Sequence, residues 1–177
     1  SEDFIRDMAS RYGEDSNQFR VRVIGEWPEA DEDTLIPLNI IEAARGRDVD
    51  PSPVASVIWG VDPARYGSDR SALAKRAGNY LLEPPKTWRD KSLMELCGII
   101  QAEYESTPIS ERPEEICVDS IGIGAGVVDR LIELDLPARG INVAESASLN
   151  QKYVRLRDEL WYRCREWFET KEVHIPD

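Results

Sequence analysis

Two short apolar runs in this chain each end on an aspartate and then meet residues that a strand cannot continue through. The first is Val57-Ile58-Trp59-Gly60-Val61-Asp62, followed by Pro63-Ala64; the second is Glu115-Ile116-Cys117-Val118-Asp119-Ser120, followed by a glycine-rich turn. Runs of this length and composition, bounded by turn signals, read as strands buried on both faces. Proline cannot donate to a sheet ladder, so the first strand stops where it delivers its carboxylate. If the two strands are neighbours in one sheet, Asp62 and Asp119 lie a few ångströms apart. Such a pair must share a proton or hold a divalent cation.

The remaining elements follow from periodicity. Phe4, Ile5, Met8 and Tyr12 stand at helical spacing ahead of Gly13, and Phe19-Arg20-Val21-Arg22-Val23-Ile24-Gly25 alternates like a half-exposed strand. Trp27 to Asp33 reads as an acidic linker, Leu38 to Ala44 as a short helix, and Asp48 to Pro53 as a second connection. After the Asp62 strand comes a turn through Gly67-Ser68-Asp69-Arg70, then two strands, Ser71 to Ala77 and Tyr80 to Leu82, around Gly78-Asn79. Leu93, Leu96, Cys97, Ile100 and Tyr104 mark an amphipathic helix within Asp90 to Ser106. The Asp119 strand, a helix over Val127 to Leu134, a short strand Ile141-Asn142-Val143 and a long helix over Lys152 to Thr170 complete the order β-β-β-α-β-α-β-α.

Composition bounds the function classes. At 177 residues and 41% apolar content the chain suits one soluble domain plus an extension, with no membrane-length apolar run and no signal peptide. Three dispersed cysteines in apolar surroundings read as free thiols of a reducing cytoplasm. His174 is the only histidine, which argues against zinc. The net charge of -12 is concentrated in residues 1–50, which carry 13 acids against 6 bases, so it does not exclude a nucleic-acid partner for the rest.

The element order, with one acid on the first strand of the domain and another on the fourth, resembles the ribonuclease H-like fold: a mixed central sheet flanked by helices. Tyr12-Gly13-Glu14-Asp15-Ser16, Phe19 to Pro28, Gly60-Val61-Asp62-Pro63-Ala64 with Gly67-Ser68-Asp69, and Val118-Asp119-Ser120 with Gly122-Ile123-Gly124-Ala125-Gly126-Val127-Val128-Asp129 together resemble the C-terminal nuclease region of large terminase subunits, the DNA-packaging motors of tailed bacteriophages. The likeness runs over nearly the whole chain. It implies a metal-dependent endonuclease that cuts concatemeric double-stranded DNA in the host bacterial cytoplasm. Partners would be the terminase ATPase domain, the small terminase subunit and the portal, and no membrane is implied. Residues 1–54 would be an arm or linker from the ATPase domain and 55–177 the nuclease domain. No Gly-x-x-x-x-Gly-Lys-Ser/Thr loop occurs, so no ATPase is expected here. The family's third metal-binding acid is expected on a helix beyond Asp177, which implies a C-terminally truncated fold and weak activity unless Asp69 fills part of the role.

The resemblance makes Asp62 a ligand shared by two Mg²⁺ or Mn²⁺ ions and Asp119 a ligand of one, with Asp69 a further candidate; taken alone, Asp62 is equally well a turn aspartate. Arg65, Arg70, Lys75 and Arg76, and Lys152 and Arg155 on the edge of the last helix, are candidate phosphate contacts, although most helix cations are simply solvated. Trp161, Trp167 and Phe168 read as core. The glycines at 122, 124 and 126 could suggest a dinucleotide fingerprint, but the third glycine is misplaced and Asp119 would face the pyrophosphate. A non-catalytic docking module of the motor and a junction resolvase are the competing readings.

Overall fold

The structure is a computed structural model that describes residues 2–12, 14, 19–25, 34–49, 55–64, 67–149 and 151–177. The chain divides into two compact units, Ser1–Glu42 and Ala43–Asp177. In the first, α1 (Glu2–Tyr12) buries Met8, while Phe4 and Ile5 are exposed. The expected strand over 19–25 is instead a π-helical turn, Arg20–Ile24, following the buried Phe19. Alternation alone cannot hold a strand, because its backbone groups need a partner ladder and none pairs with it among the described residues. Gly13 and the acidic stretch at 26–33 lie outside the described residues. A short helix, α2 (Leu38–Ala44), crosses the division.

The second unit is built on β1 (Val57–Asp62), β2 (Ser71–Ala77), β3 (Tyr80–Leu81), β4 (Lys86–Trp88), β5 (Glu115–Asp119) and β6 (Ala138–Ile141). They form one mixed sheet in the order β3-β2-β1-β5-β6, with β4 also paired to β2. β1 runs antiparallel to β2 and parallel to β5, and β5 parallel to β6. The helices are α3 (Leu93–Ser106), α4 (Gly124–Glu133) and α5 (Leu156–Glu169). The start of α3 is set by Ser92 and Glu95: the Glu95 amide donates to the Ser92 hydroxyl at 3.2 Å, and the Ser92 amide donates to the Glu95 carboxylate at 2.8 Å. Two strands differ from the reading of the sequence. β4 is additional, and β6 lies over 138–141 rather than 141–143.

Pleating separates the two faces. Trp59 and Val61 of β1, Leu73 of β2 and Ile116 and Val118 of β5 face one way and pack with Leu96, Cys97 and Ile100 of α3 and Val127 and Leu131 of α4. The other face is thinly covered: Gly60 is exposed and Cys117 half-buried. β1 is therefore buried on one face, not two. Its uncovered side carries Asp62, in register to stand beside Asp119.

The tail closes one edge of the sheet. His174 bridges Tyr80 of β3, Ile175 bridges Arg45, and Val173 and Ala44 are fully buried. The His174 amide donates to the Asn79 carbonyl at 2.9 Å, the Leu81 amide to the His174 carbonyl at 3.0 Å, and the Gly46 amide to the Ile175 carbonyl at 3.0 Å. The His174 ring stacks on Tyr80 at 4.0 Å. Residues 43–47, which the sequence assigns to the arm, are in this way an edge of the second unit.

Candidate metal centre

The parallel register pairs Val61 with Val118, so one step further along both strands Asp62 and Asp119 end side by side, on strands about 4.8 Å apart. Both point away from the α3/α4 core. Each is held locally. The Asp119 carboxylate accepts the Ile121 amide at 3.0 Å, an Asx turn that turns the chain out of β5. Beyond Asp62, the buried hydroxyl of Ser71 accepts the Ala64 amide at 3.0 Å and donates to the Ala64 carbonyl at 3.2 Å, pinning the Pro63-Ala64 turn to the start of β2.

The glycines here are structural. Gly122 takes a φ of +62°, a left-handed conformation that side chains disfavour. Gly124 opens α4 directly against β5, where a Cβ would stand 1.7 Å from the Asp119 carbonyl oxygen. Only glycine allows the helix to meet the strand at the residue that carries the carboxylate.

Electrostatics make the site distinct. Loss of hydration, then repulsion from Asp119 and from Asp69, pushes the Asp62 carboxyl above the ordinary carboxylate range. The three acids therefore share one locality, and none forms an ion pair with a lysine or arginine among the described residues. Glu115 also lies on this face but is neutralised by Arg139 at 2.6 Å. Hard, anionic oxygen donors without a basic partner suit Mg²⁺ or Mn²⁺. Among the described residues there is no group of three acids, cysteines or histidines already closed on one ion position.

The expected phosphate contacts divide. Lys75 stands opposite Trp59, three residues back from Asp62 along the ladder, roughly 10 Å away. Its side chain is 12% exposed and bonded to Glu83 and Glu103 at 2.8 and 2.7 Å, over the Trp59 ring. Arg76 donates to the Gly78 carbonyl and lies over Trp167, and Lys152 pairs with Glu166 at 3.3 Å. Arg70 and Arg155 have exposed side chains with no ion pair among the described residues, and Arg65 lies outside them. Trp161, expected in the core, is 56% exposed. With Arg157, Leu160 and Cys164 it lines a cleft of about 240 Å³ that Asp119 and Val143 also line. The spacing of Leu160, Trp161 and Cys164 puts them on one apolar face of the last helix, which reads as core, while Arg157 reads as part of that helix's basic edge.

Taken together, the strand order, the two faces and the paired aspartates define a ribonuclease H-like α/β domain. Its fold is that of the nuclease domains of phage large terminase subunits. The nuclease domain of the large terminase subunit of bacterial virus Sf6, with manganese and beta-thujaplicinol, superimposes with a TM-score of 0.61 at 16% identity, covering 81% of this chain and 74% of that one. The large terminase nuclease from thermophilic phage G20c with bound magnesium gives 0.54 at 14% identity, covering 72% and 61%. The same nuclease with bound zinc gives 0.53 at 14% identity, covering 72% and 67%. No family model matches the chain, and no curated protein matches it.

Proposed function

We propose that this chain is the metal-dependent endonuclease domain of a phage large terminase, cutting double-stranded DNA during genome packaging in the host bacterial cytoplasm. The observation that carries the reading is the juxtaposition of Asp62 and Asp119 on adjacent strands, with Asp69 close enough to repel Asp62 and no cation among the described residues to balance them. In this reading Asp62 and Asp119 hold Mg²⁺ or Mn²⁺, with Asp69 contributing from the turn. The bound ions would activate water and stabilise the leaving 3′-oxygen of phosphodiester hydrolysis. Asp62 and Asp119 supply the anionic oxygens, Ser71 and Gly124 keep the two strand ends in place, and Arg70 and Arg155 grip neighbouring phosphates. In this reading activity is weak, because the acids among the described residues do not close on one ion position. Residues 1–42 serve as the arm toward the motor ATPase, and the small subunit and portal are the further partners.

The test is plasmid cleavage by this chain in Mg²⁺ or Mn²⁺, against EDTA and the Asp62→Asn and Asp119→Asn variants. Metal-dependent nicking, lost in both variants with circular dichroism unchanged, is the expected result. Retained nicking in either variant removes that residue from the site. A second reading, a non-catalytic docking module of the motor, is favoured by the lack of a three-ligand group among the described residues. It predicts no cleavage and no metal binding.

A further inference from the structure

The outer surface of α5 does not behave like the rest of a solvated helix. Its cations are mostly matched: Arg163 pairs with Glu159 and Glu166, and Arg165 with Glu169 at 2.8 Å. Arg157 has no side-chain hydrogen bond or ion pair among the described residues. It lies four residues before Trp161 and so shares its face. Leu160 and Trp161 beside it are exposed although both are large and apolar, and this arginine-aromatic stripe runs straight onto Asp119. Leaving a tryptophan in water beside an unpaired arginine and a metal-site carboxylate forgoes burial that a structural helix would take.

The chemistry of the cleft is mixed. Its lining combines the acidic Asp119, which suits a cation, with a flat aromatic surface at Trp161, an aliphatic side chain at Leu160 and the guanidinium of Arg157. At about 240 Å³ it falls below the usual range for an independent small-molecule pocket. It is the size of an extension of the active site that takes a single nucleotide. We propose that Trp161 stacks on the base of a nucleotide next to the scissile phosphate, with Arg157 neutralising an adjacent phosphate, so that α5 is the side of the site that grips the substrate strand. This rests on the nuclease reading and adds the preference it implies: stacking requires an exposed base, so splayed or single-stranded DNA at the cut should bind better than intact duplex.

The experiment is fluorescence anisotropy of the full chain with end-labelled single-stranded, forked and blunt duplex oligonucleotides, without metal so that nothing is cut. Forked and single-stranded DNA should bind more tightly than blunt duplex. Trp161→Ala should weaken that binding about tenfold, and Trp161→Phe should recover most of the loss. Arg157→Gln should lower the slope of log affinity against log salt by about 1. Equal affinity of wild type and Trp161→Ala for forked DNA overturns the proposal while leaving the nuclease reading intact. Absence of any DNA binding by wild type also overturns the proposal, and the nuclease reading is then judged separately by the metal-dependent cleavage test. Loss of self-association in Trp161→Ala on sedimentation, with DNA binding unchanged, would assign the face to a second copy of the chain and overturn the proposal as well.

Discussion

Two clusters of charge lie on either side of the same strand, and they behave in opposite ways. On the core side of β1, Lys75 and Lys86 meet Glu83 and Glu103, with contacts of 2.7 Å from each lysine to Glu103. Hydrogen bonds from the two lysines hold Glu103 below the ordinary carboxylate range, and the bond to Glu103 holds Lys86 above the usual lysine value. Glu103 and Lys86 each favour the charged form. On the other side, at the end of the strand, Asp62 is pushed up by lost hydration and by Asp119 and Asp69. The first cluster pairs its charges with one another, while the second sets like charges together with no ion pair among the described residues. That contrast, between charges paired with one another and like charges set together, is what motivates the proposal of a metal at the second cluster.

The comparison can be broken first where the second cluster is built. Gly124→Ala forces a methyl into the Asp119 carbonyl and should cost about 3 kcal/mol. For a chain of this size that lowers Tm by roughly 6–12 °C, and cleavage should fall with the displaced Asp119. An unchanged Tm would mean that α4 does not press on β5. Next, Lys75→Ala removes the centre of the paired network and should cost about 2 kcal/mol through lost ion pairing and ring contact. Cleavage per folded molecule should stay the same. A specific cleavage defect would return Lys75 to the DNA-contacting role that its sequence position suggests.

The smallest effect has the opposite sign. Because the folded value of Asp62 is raised, its ionisation opposes folding: the penalty is absent below about pH 3.9, where the carboxyl is protonated in both states, grows as pH rises from the unfolded towards the folded value, and is complete above it. Asp62→Asn should therefore stabilise the chain in EDTA at pH 7 by at most about 1 kcal/mol once solvent screening is allowed for, raising Tm by about 2–4 °C. The gain should vanish near pH 3, and a destabilised variant at pH 7 would remove the claim of uncompensated charge.

Much of this was legible in the residues, and the gaps have physical causes. The apolar runs ending on Asp62 and Asp119 announce strands and acids directly, and Ser92 with Glu95 marks the start of α3. The strand expected over 19–25 fails because a ladder needs a partner that local alternation cannot specify. Lys75 looked free because sequence shows a cation near Asp62 but not the antiparallel register that sets it opposite Trp59, nor the glutamates that arrive from β4's loop and from α3. Trp161 looked buried because spacing reveals which residues share a helix face but not whether anything covers it. The pinning by Ser71 is a long-range contact with no local pattern.

The most direct test of the central claim is isothermal titration of Mn²⁺ into the metal-free chain at pH 7, beside Asp62→Asn and Asp119→Asn. Saturable binding by the wild type, weakened or abolished in both variants with the fold retained, is the predicted result. Binding of equal strength in all three, or none in the wild type, would contradict the account and leave the paired aspartates as an acidic surface without a metal.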